Sequence, residues 1–233
     1  MADRPLVLAH RGASRAAPEN TIEAFAAARD LGADGVELDV RRTADDVLVV
    51  HHDPEVRGFG SIAGQSFEVL RAARPEVPTL LEVLAACRGL LVNVEVKCLP
   101  WEPDADSADR PVMRAVTTAL RAHAPDAIVS SFDLGAVDAC RAFAPELTTA
   151  WLTSGQDIAS ASAIAVAHDH AWLHPDRGSA LRDLDAGIRA AHTRGLRVDV
   201  WTVDDPDEIR MLAVAGVDAI VTNVPDVALA ALA

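Results

Sequence analysis

The chain contains few residues of several types, and each of these shortages excludes some classes of protein. Aromatic side chains make up 4% of its 233 residues, and tyrosine is absent. A core built mainly of alanine, valine and leucine therefore remains, which suits helices packed on a parallel sheet. No apolar run reaches the ~18 residues that a membrane-spanning helix needs, so we expect no stable insertion into a membrane.

Basic residues are also scarce. Lysine and arginine number 21 against 35 acidic residues, which gives a net charge of −14. Binding to nucleic acid or to an anionic membrane surface requires a basic face, so the charge argues against both partners. A small anionic substrate stays compatible, because the local charge of a cleft can differ in sign from the total.

Cysteine occurs three times, at Cys87, Cys98 and Cys140. The odd number and wide spacing fit neither a disulfide framework nor a metal motif, so we interpret all three as packing residues. The short apolar run 5–9 ends in charged residues, unlike a signal peptide. Both observations predict a cytoplasmic protein.

Short apolar runs alternate with longer helical stretches along the chain. This alternation predicts parallel strands joined by right-handed crossovers. Eight strands in about 230 residues favour a closed (β/α)8 TIM barrel over an open doubly wound sheet. No low-complexity linker divides residues 1–233, which predicts a single domain. We expect strands at 5–9, 35–40, 91–96, 127–131, 147–151, 163–167, 197–203 and 218–221, and helices near 20–31, 78–88, 107–123, 133–143, 180–194 and 205–214.

Residues 41–78 contain more chain than one loop and one helix require. Residues 47–50 predict an extra strand, and the glycines between 58 and 64 indicate an irregular excursion. We therefore expect a short insertion after the second barrel strand, on the face where barrel active sites lie. A polar loop, Trp101–Arg110, is expected on the same face.

Acidic side chains alternate along two of the predicted strands. Glu37 and Asp39 share one face of a strand, and Glu95 and Lys97 share one face of another. Carboxylates directed into a barrel are costly without a partner, so the three predict one bound divalent cation. Oxygen ligands favour Mg²⁺ or Ca²⁺ over Zn²⁺, and the sequence leaves the choice between these two open.

Two histidines stand at strand ends near these carboxylates. His10 and His52 suit general acid–base catalysis, because the ordinary pKa of histidine lies near 6.5. His51 should face away from His52 on a regular strand. Arg11 and Lys97 offer a planar fork and a point charge for phosphate oxygens. Together these groups are suited to cleaving a phosphate ester.

Aromatic residues at two other strand ends are candidates for a substrate pocket. Trp201 and Phe132 could form its walls, or they could simply pack. His174 is a weaker candidate for the site. The remaining histidines have no carboxylates grouped near them in sequence and are expected to be surface or packing residues: His123, His168, His170 and His192.

Seven short motifs, taken together and in order, resemble the glycerophosphodiester phosphodiesterase family. Their order and their spread from residue 10 to residue 226 make the resemblance specific, although each motif alone is weak. They are His10–Gly12 with Pro18–Thr21, Val36–Val40, His52–Pro54, Glu95–Lys97, Ser130–Phe132, Trp201–Val203 and Val221–Asp226.

The resemblance implies a TIM barrel that hydrolyses glycerophosphodiesters to an alcohol and glycerol 3-phosphate. It implies a divalent metal on the three carboxylates, the two histidines as acid and base, and the two cations on the phosphate. The two aromatic side chains would line the substrate site. The resemblance also implies that the neighbouring glycerol hydroxyl can act as nucleophile, through a cyclic phosphate that water opens.

The sequence departs from the family pattern at two places. Glu55–Phe59 replaces the run usual after His-Asp-Pro, and Asp204 stands where Asn usually follows Trp-Thr-Val. Asp204 could add negative charge near the site or cap the helix that starts at Pro206, and Asn20 or Thr21 could cap the first helix. Two other functions remain open: a lysophospholipase D-type activity on lysophospholipids, and a catalytically inactive barrel that binds phosphodiesters.

Overall fold

The computed structural model describes residues 4–97, 99–100, 102 and 105–233. The predictions for Cys98 and Trp101 lie outside these residues.

The strands are β1 (Leu6–His10), β2 (Gly35–Arg42), β3 (Leu48–Val50), β4 (Glu55–Val56), β5 (Gly60–Ser61), β6 (Leu91–Val96), β7 (Ile128–Ser131), β8 (Thr148–Thr153), β9 (Trp172–Pro175), β10 (Arg197–Val200) and β11 (Ala219–Thr222). The helices are α1 (Ile22–Asp30), α2 (Phe67–Ala73), α3 (Leu80–Ala86), α4 (Pro111–His123), α5 (Leu134–Phe143), α6 (Ile158–Ala167), α7 (Arg177–Arg182), α8 (Leu184–Thr193), α9 (Pro206–Ala215) and α10 (Pro225–Leu232).

Eight parallel strands of the described chain close into a barrel. The order runs β1, β2, β6, β7, β8, β9, β10, β11, and β1 pairs with both β2 and β11. Helices connect the strands and pack outside them, with the main apolar core between the two layers. The predicted (β/α)8 barrel is therefore confirmed. No helix in the described ranges is long and apolar enough to cross a membrane.

The predicted insertion follows β2. β3 pairs with β2 in antiparallel register, and the excursion after it forms the hairpin β4–β5 and then α2. These elements bury a small cluster of apolar side chains, separate from the clusters of the barrel, which we call the insertion core: Val49, Val56, Ile62, Leu70 and Val77.

The predicted strand at 163–167 is wrong. These residues form the last half of α6, whose inward positions Ile158, Ala161 and Ala165 follow the helical period. Ile164 and Val166 misled the prediction because they are β-branched, yet they lie partly exposed on the outer side of the helix. The sixth barrel strand is instead Trp172–Pro175, a four-residue segment without an apolar run.

Other differences concern helix boundaries. The stretch 180–194 divides at Asp183 into α7 and α8, and α2 and α10 were not predicted. The prediction that the cysteines are packing residues is confirmed for two of them, because Cys87 and Cys140 are buried and free. Burial raises the pKa of each thiol to about 12.

Candidate active site

Strand register brings the predicted acidic residues together at the carboxyl ends of β1, β2 and β6. His10 lies opposite Glu37, and Asp39 lies opposite Glu95 in the neighbouring strand. One carboxylate oxygen from each of the three acidic residues lies within 4.8 Å of the others. All three side chains are buried. The arrangement concentrates negative charge at the barrel mouth.

Two cations contact the carboxylates. Lys97 Nζ lies 2.6 Å from Glu95 Oε1 and 3.1 Å from Asp39 Oδ1. Arg11 Nε lies 3.3 Å from Asp39 Oδ2. Although burial alone would raise the pKa of Asp39, Lys97 and Arg11 lower it to about 2. Glu95 and Asp39 in turn raise the pKa of Lys97 against the effect of burial. Both cations therefore stay charged, and so does Asp39.

Glu37 is the least compensated of the three carboxylates. Burial raises its pKa well above the ordinary value, and repulsion from Asp39 and Glu95 raises it further. Among the described residues, its Oε1 has no hydrogen-bond donor, and its Oε2 accepts only the backbone N–H of Arg11, at 3.0 Å. A buried carboxylate oxygen without a donor fits the coordination shell of a cation, and a set of oxygen ligands alone suits Mg²⁺ or Ca²⁺.

The turn after β1 positions Arg11. Its backbone adopts φ 56°, and Gly12 follows at φ 79°. A Cβ on Gly12 would lie 2.6 Å from the backbone of Ala24 on α1, so only glycine fits this close approach. Asn20, also at positive φ, donates through Nδ2 to Asp39 Oδ2 at 2.8 Å. Thr21, rather than Asn20, caps α1 by accepting from the N–H of Ala24.

His10 is held by a hydrogen-bonded chain from the last strand. Asn223 Nδ2 donates to Asp204 Oδ2 at 2.8 Å, so Asn223 Oδ1 faces His10 Nδ1, also at 2.8 Å. Because an amide oxygen only accepts, His10 must carry its proton on Nδ1. Its Nε2, 4.0 Å from Glu37 Oε2, is then free of a proton. Burial and Arg11 lower the pKa of His10, which favours the neutral ring.

Asp204 does not cap α9, because Asp205 does so by accepting from the backbone N–H groups of Asp207 and Glu208. The capping interpretation of Asp204 is wrong, and its carboxylate instead orients Asn223. Sequence reasoning missed Asn223 as a site residue. Its position in the motif Val221–Asp226 was the available signal, but its partner His10 lies 213 positions away.

His52 approaches the site from the segment that follows β3. Its Nδ1 pairs with Asp53 Oδ1 at 2.7 Å, and its backbone carbonyl accepts from Arg41 Nε at 2.8 Å. Burial lowers the pKa of His52, an effect that nearby Asp39 opposes and Lys97 reinforces. His51 Nδ1 contacts the backbone carbonyl of Asp53 instead. Asp53 entered the sequence analysis only as part of the motif His52–Pro54, and its contact with His52 was not predicted.

The two aromatic candidates meet at the same mouth. The rings of Phe132 and Trp201 make an edge-to-face contact with centroids 5.4 Å apart. Trp201 Nε1 donates to the backbone carbonyl of His174 at 2.8 Å, which fixes the indole. His174 and Trp201 line a small cavity with His10, Glu37 and Glu95.

A second polar pair, His174 and Asp199, lies inside the barrel. His174 Nε2 is 3.8 Å from Asp199 Oδ2, too far for a hydrogen bond, and neither atom has a hydrogen-bond partner in the part of the chain that the structure describes. Burial lowers the pKa of His174 to about 3 and, with a contribution from Asp218, raises the pKa of Asp199 to about 8. Although the separation would suit an ion pair, this burial favours the uncharged forms of both groups at pH 7.

Comparison with known proteins identifies the family. The model of the glycerophosphoryl diester phosphodiesterase family matches residues 10–227. A glycerophosphodiester phosphodiesterase of Caldanaerobacter subterraneus is 31% identical, with 96% of each chain covered. This chain belongs to the glycerophosphoryl diester phosphodiesterase family. The family hydrolyses glycerophosphodiesters, and its members are phosphoric diester hydrolases.

Solved structures agree with this assignment. A glycerophosphodiester phosphodiesterase of Thermotoga maritima superimposes with a TM-score of 0.81 at 29% identity, covering 98% of both chains. A phosphodiesterase of Oleispira antarctica, determined in complex with the product sn-glycerol 3-phosphate, superimposes with a TM-score of 0.84. It is 25% identical, with 98% of this chain and 96% of that chain covered.

Proposed function

We propose that this chain cleaves glycerophosphodiesters to an alcohol and glycerol 3-phosphate with a divalent cation and two histidines. The observation that carries the proposal is the convergence of three buried carboxylates, two cations and two imidazoles at the carboxyl end of the barrel. The family membership and the product complex of the Oleispira relative support the substrate class.

The cation would be held by Glu37, Asp39 and Glu95. With these carboxylates ionised and two cationic side chains beside them, the cluster would carry one net negative charge and would repel a phosphodiester. One divalent ion changes the net charge to one positive, which matches the single negative charge of the substrate. When bound, the ion polarises a phosphoryl oxygen and offsets charge that develops there.

Arg11 and Lys97 supply the remaining positive charge on the phosphate. Both side chains are already fixed by the carboxylates, so little reorganisation is needed when the anion binds. Trp201 and Phe132 would form the apolar wall of the same pocket. The insertion from β3 to α2 lies on this face and would bound the pocket on the side of His52.

We assign the general base to His10, because its Nε2 is left unprotonated by the bond to Asn223. Nε2 would take the proton of the attacking hydroxyl, whether that of glycerol or of water. We assign the general acid to His52, because Asp53 stabilises its imidazolium form. His52 would then give a proton to the oxygen of the leaving alcohol.

The decisive experiment measures release of glycerol 3-phosphate from glycerophosphocholine with Mg²⁺, Ca²⁺ or EDTA. We expect metal-dependent release, and a loss of about 10²- to 10⁴-fold in His10→Ala and in His52→Ala. His123→Ala, a histidine exposed at the end of α4, is the control and should retain activity. Release that persists in EDTA would contradict metal dependence. Turnover of a lysophospholipid alone would favour the lysophospholipase D-type alternative, and binding without turnover would favour the inactive barrel.

The replacement Asp53→Asn separates the roles of the two histidines. Asp53 raises the pKa of His52, so the variant should lower that pKa. If His52 is the acid, activity depends on its protonated form, and the alkaline limb of the pH–rate profile should move to lower pH. Movement of the acidic limb instead would make His52 the base and reverse our assignment. Asp53 is largely exposed, so the structural cost of the change should be small.

We also propose that residues 1–233 form one domain. The closure of the barrel between its first and last strands supports this, because neither half of the sheet is complete alone.

A further inference from the structure

A second group of ligand-type side chains lies near the amino ends of the barrel strands, away from the active site. Asp138 is on α5, His168 ends α6, and His170 precedes β9. His168 Nδ1 lies 2.9 Å from Asp138 Oδ2, and His170 Nε2 lies 3.3 Å from Asp138 Oδ1. One potential ligand atom from each residue lies within 4.8 Å of the other two. Tertiary structure brings together residues that are 30 positions apart in sequence.

His170 places a buried ring nitrogen in the cluster, which an ordinary surface ion pair does not require. Its side chain is fully buried, and Nε2 has no hydrogen-bond partner in the described chain. Its other ring nitrogen, Nδ1, lies 3.0 Å from Thr149 Oγ1 on β8. The Thr149 hydroxyl can accept from Nδ1–H, and in that tautomer Nε2 keeps the lone pair that a metal ion between it and Asp138 would use. Histidine ligands of metals are usually oriented in this way, by a hydrogen bond from the second ring nitrogen.

We propose that Asp138, His168 and His170 bind one transition-metal ion of the Zn²⁺ class, with a fourth position open to solvent. Two imidazoles and one carboxylate favour such an ion over Mg²⁺ or Ca²⁺, which prefer oxygen ligands alone. Bonds of about 2.0–2.1 Å in tetrahedral geometry place ligand atoms about 3.3 Å apart. The 3.3 Å separation of His170 Nε2 from Asp138 Oδ1 already matches this value, and His168 Nδ1 lies 3.0 Å from the same oxygen.

The proposed site would join α5 to the segment between α6 and β9. The same two elements are linked by the exposed ion pair of Arg141 with Asp169, at 3.4 Å. Arg141 is one turn after Asp138 on α5, and its positive charge would weaken cation binding while its pairing with Asp169 limits that effect. The proposed metal site lies at the end of the barrel opposite the catalytic cluster. Active sites occupy the catalytic end in barrels of this kind, so we assign the metal site a stabilising role.

Titration of the tag-free, metal-stripped chain with Zn²⁺ tests the proposal by calorimetry and thermal unfolding. We expect His168→Asn and Asp138→Asn each to remove one equivalent of bound Zn²⁺, or to weaken it at least tenfold. Each should also lose part of the Zn²⁺-dependent rise in melting temperature. His192→Asn is the matched control, because His192 pairs with a single carboxylate, Asp218, at 2.9 Å.

Co²⁺ distinguishes this site from the carboxylate cluster of the barrel. A four-coordinate site with two imidazoles should give strong visible absorption, whereas an octahedral all-oxygen site absorbs weakly. We expect the strong band in the wild-type chain and in His192→Asn, and its loss in both ligand variants. Equal Zn²⁺ stoichiometry and equal Co²⁺ spectra in the wild type and the ligand variants would overturn the proposal. Neither readout depends on phosphodiesterase activity.

Discussion

In the mechanism that we propose, Asn223 controls how His10 acts, because its amide oxygen selects Nδ1 as the ring nitrogen that carries the proton. Replacing Asn223 by Ala should lower kcat about tenfold or more, since the ring can then rotate and exchange tautomers. KM should change less, because Asn223 does not contact the cations that we assign to the phosphate. Ser14→Ala is the control, because the Ser14 hydroxyl donates to the same amide oxygen and its removal leaves the bond between Asn223 and His10 in place. Equal losses of kcat in the two variants would contradict the positioning role.

Burial of Asp199 inside the barrel makes the free energy of unfolding depend on pH. Its pKa rises from an ordinary 3.8 to about 8 on folding, so the folded state binds more protons than the unfolded state between these values. Stability should therefore fall as pH rises from about 4 to about 8. Asp199→Asn removes this dependence, so its free energy of unfolding relative to the wild type should increase by up to several kcal/mol across that window.

Urea denaturation at pH 5 and pH 8 in EDTA measures the effect of Asp199→Asn. His174, with its folded pKa of about 3, cancels in the comparison because it is present in both proteins. Glu76→Gln makes the same chemical change at an exposed position and should alter stability little at either pH. A difference between Asp199→Asn and wild type that is the same at both pH values would show that Asp199 is ionised in the fold.

At the scale of the element, the turn between β1 and α1 depends on Gly12. Gly12→Ala should cost about 1–3 kcal/mol more than Gly89→Ala in chemical denaturation. Both glycines have positive φ, so the cost of the left-handed backbone is common to both. Only Gly12 is packed against the backbone of α1, while a Cβ on Gly89 would meet nothing within 4 Å. Equal costs would mean that the close approach to Ala24 relaxes readily.

The elements that carry the active site were also the ones most visible in the sequence. β1 is an apolar run that ends in His10, and β2 and β6 carry polar residues on alternate positions, so both the strands and the shared face of Glu37 and Asp39 could be predicted. β9 could not, because four buried residues that include a histidine and a proline lack a periodic signal. The adjacent α6 displayed exposed β-branched residues that imitate a strand.

Contacts between distant segments could not be predicted from the sequence, for a different reason. The His10–Asn223 bond and the approach of Asp138 to His170 both depend on which helix and strand lie side by side after the barrel closes. The family resemblance supplied the candidate catalytic residues, and its motifs include Asn20, Asp53 and Asn223, but they did not show which side chain each of these would contact. Sequence reasoning therefore found the charged groups of the site and missed the amides that hold them.

At the scale of the whole molecule, barrel closure should make unfolding cooperative. Three of the four tryptophans, Trp151, Trp172 and Trp201, lie in the second half of the chain, so fluorescence reports mainly on that half. Because β1 pairs with both β2 and β11, we expect the fluorescence and far-UV circular dichroism transitions in urea to coincide. A fluorescence midpoint displaced from the circular dichroism midpoint would show that the two halves unfold separately.

The two histidines of the site are supported by different apolar clusters, because the insertion core is separate from the core of the barrel. His10 ends a strand of the barrel wall, whereas His52 follows β3, beside apolar side chains that pack apart from the barrel. We therefore expect substitutions in β4, β5 or α2 to reshape the mouth of the pocket without repacking the layer that carries the candidate metal ligands. Exchanging this segment for that of a relative should then change which alcohol is released, while the chemistry at the phosphate stays the same.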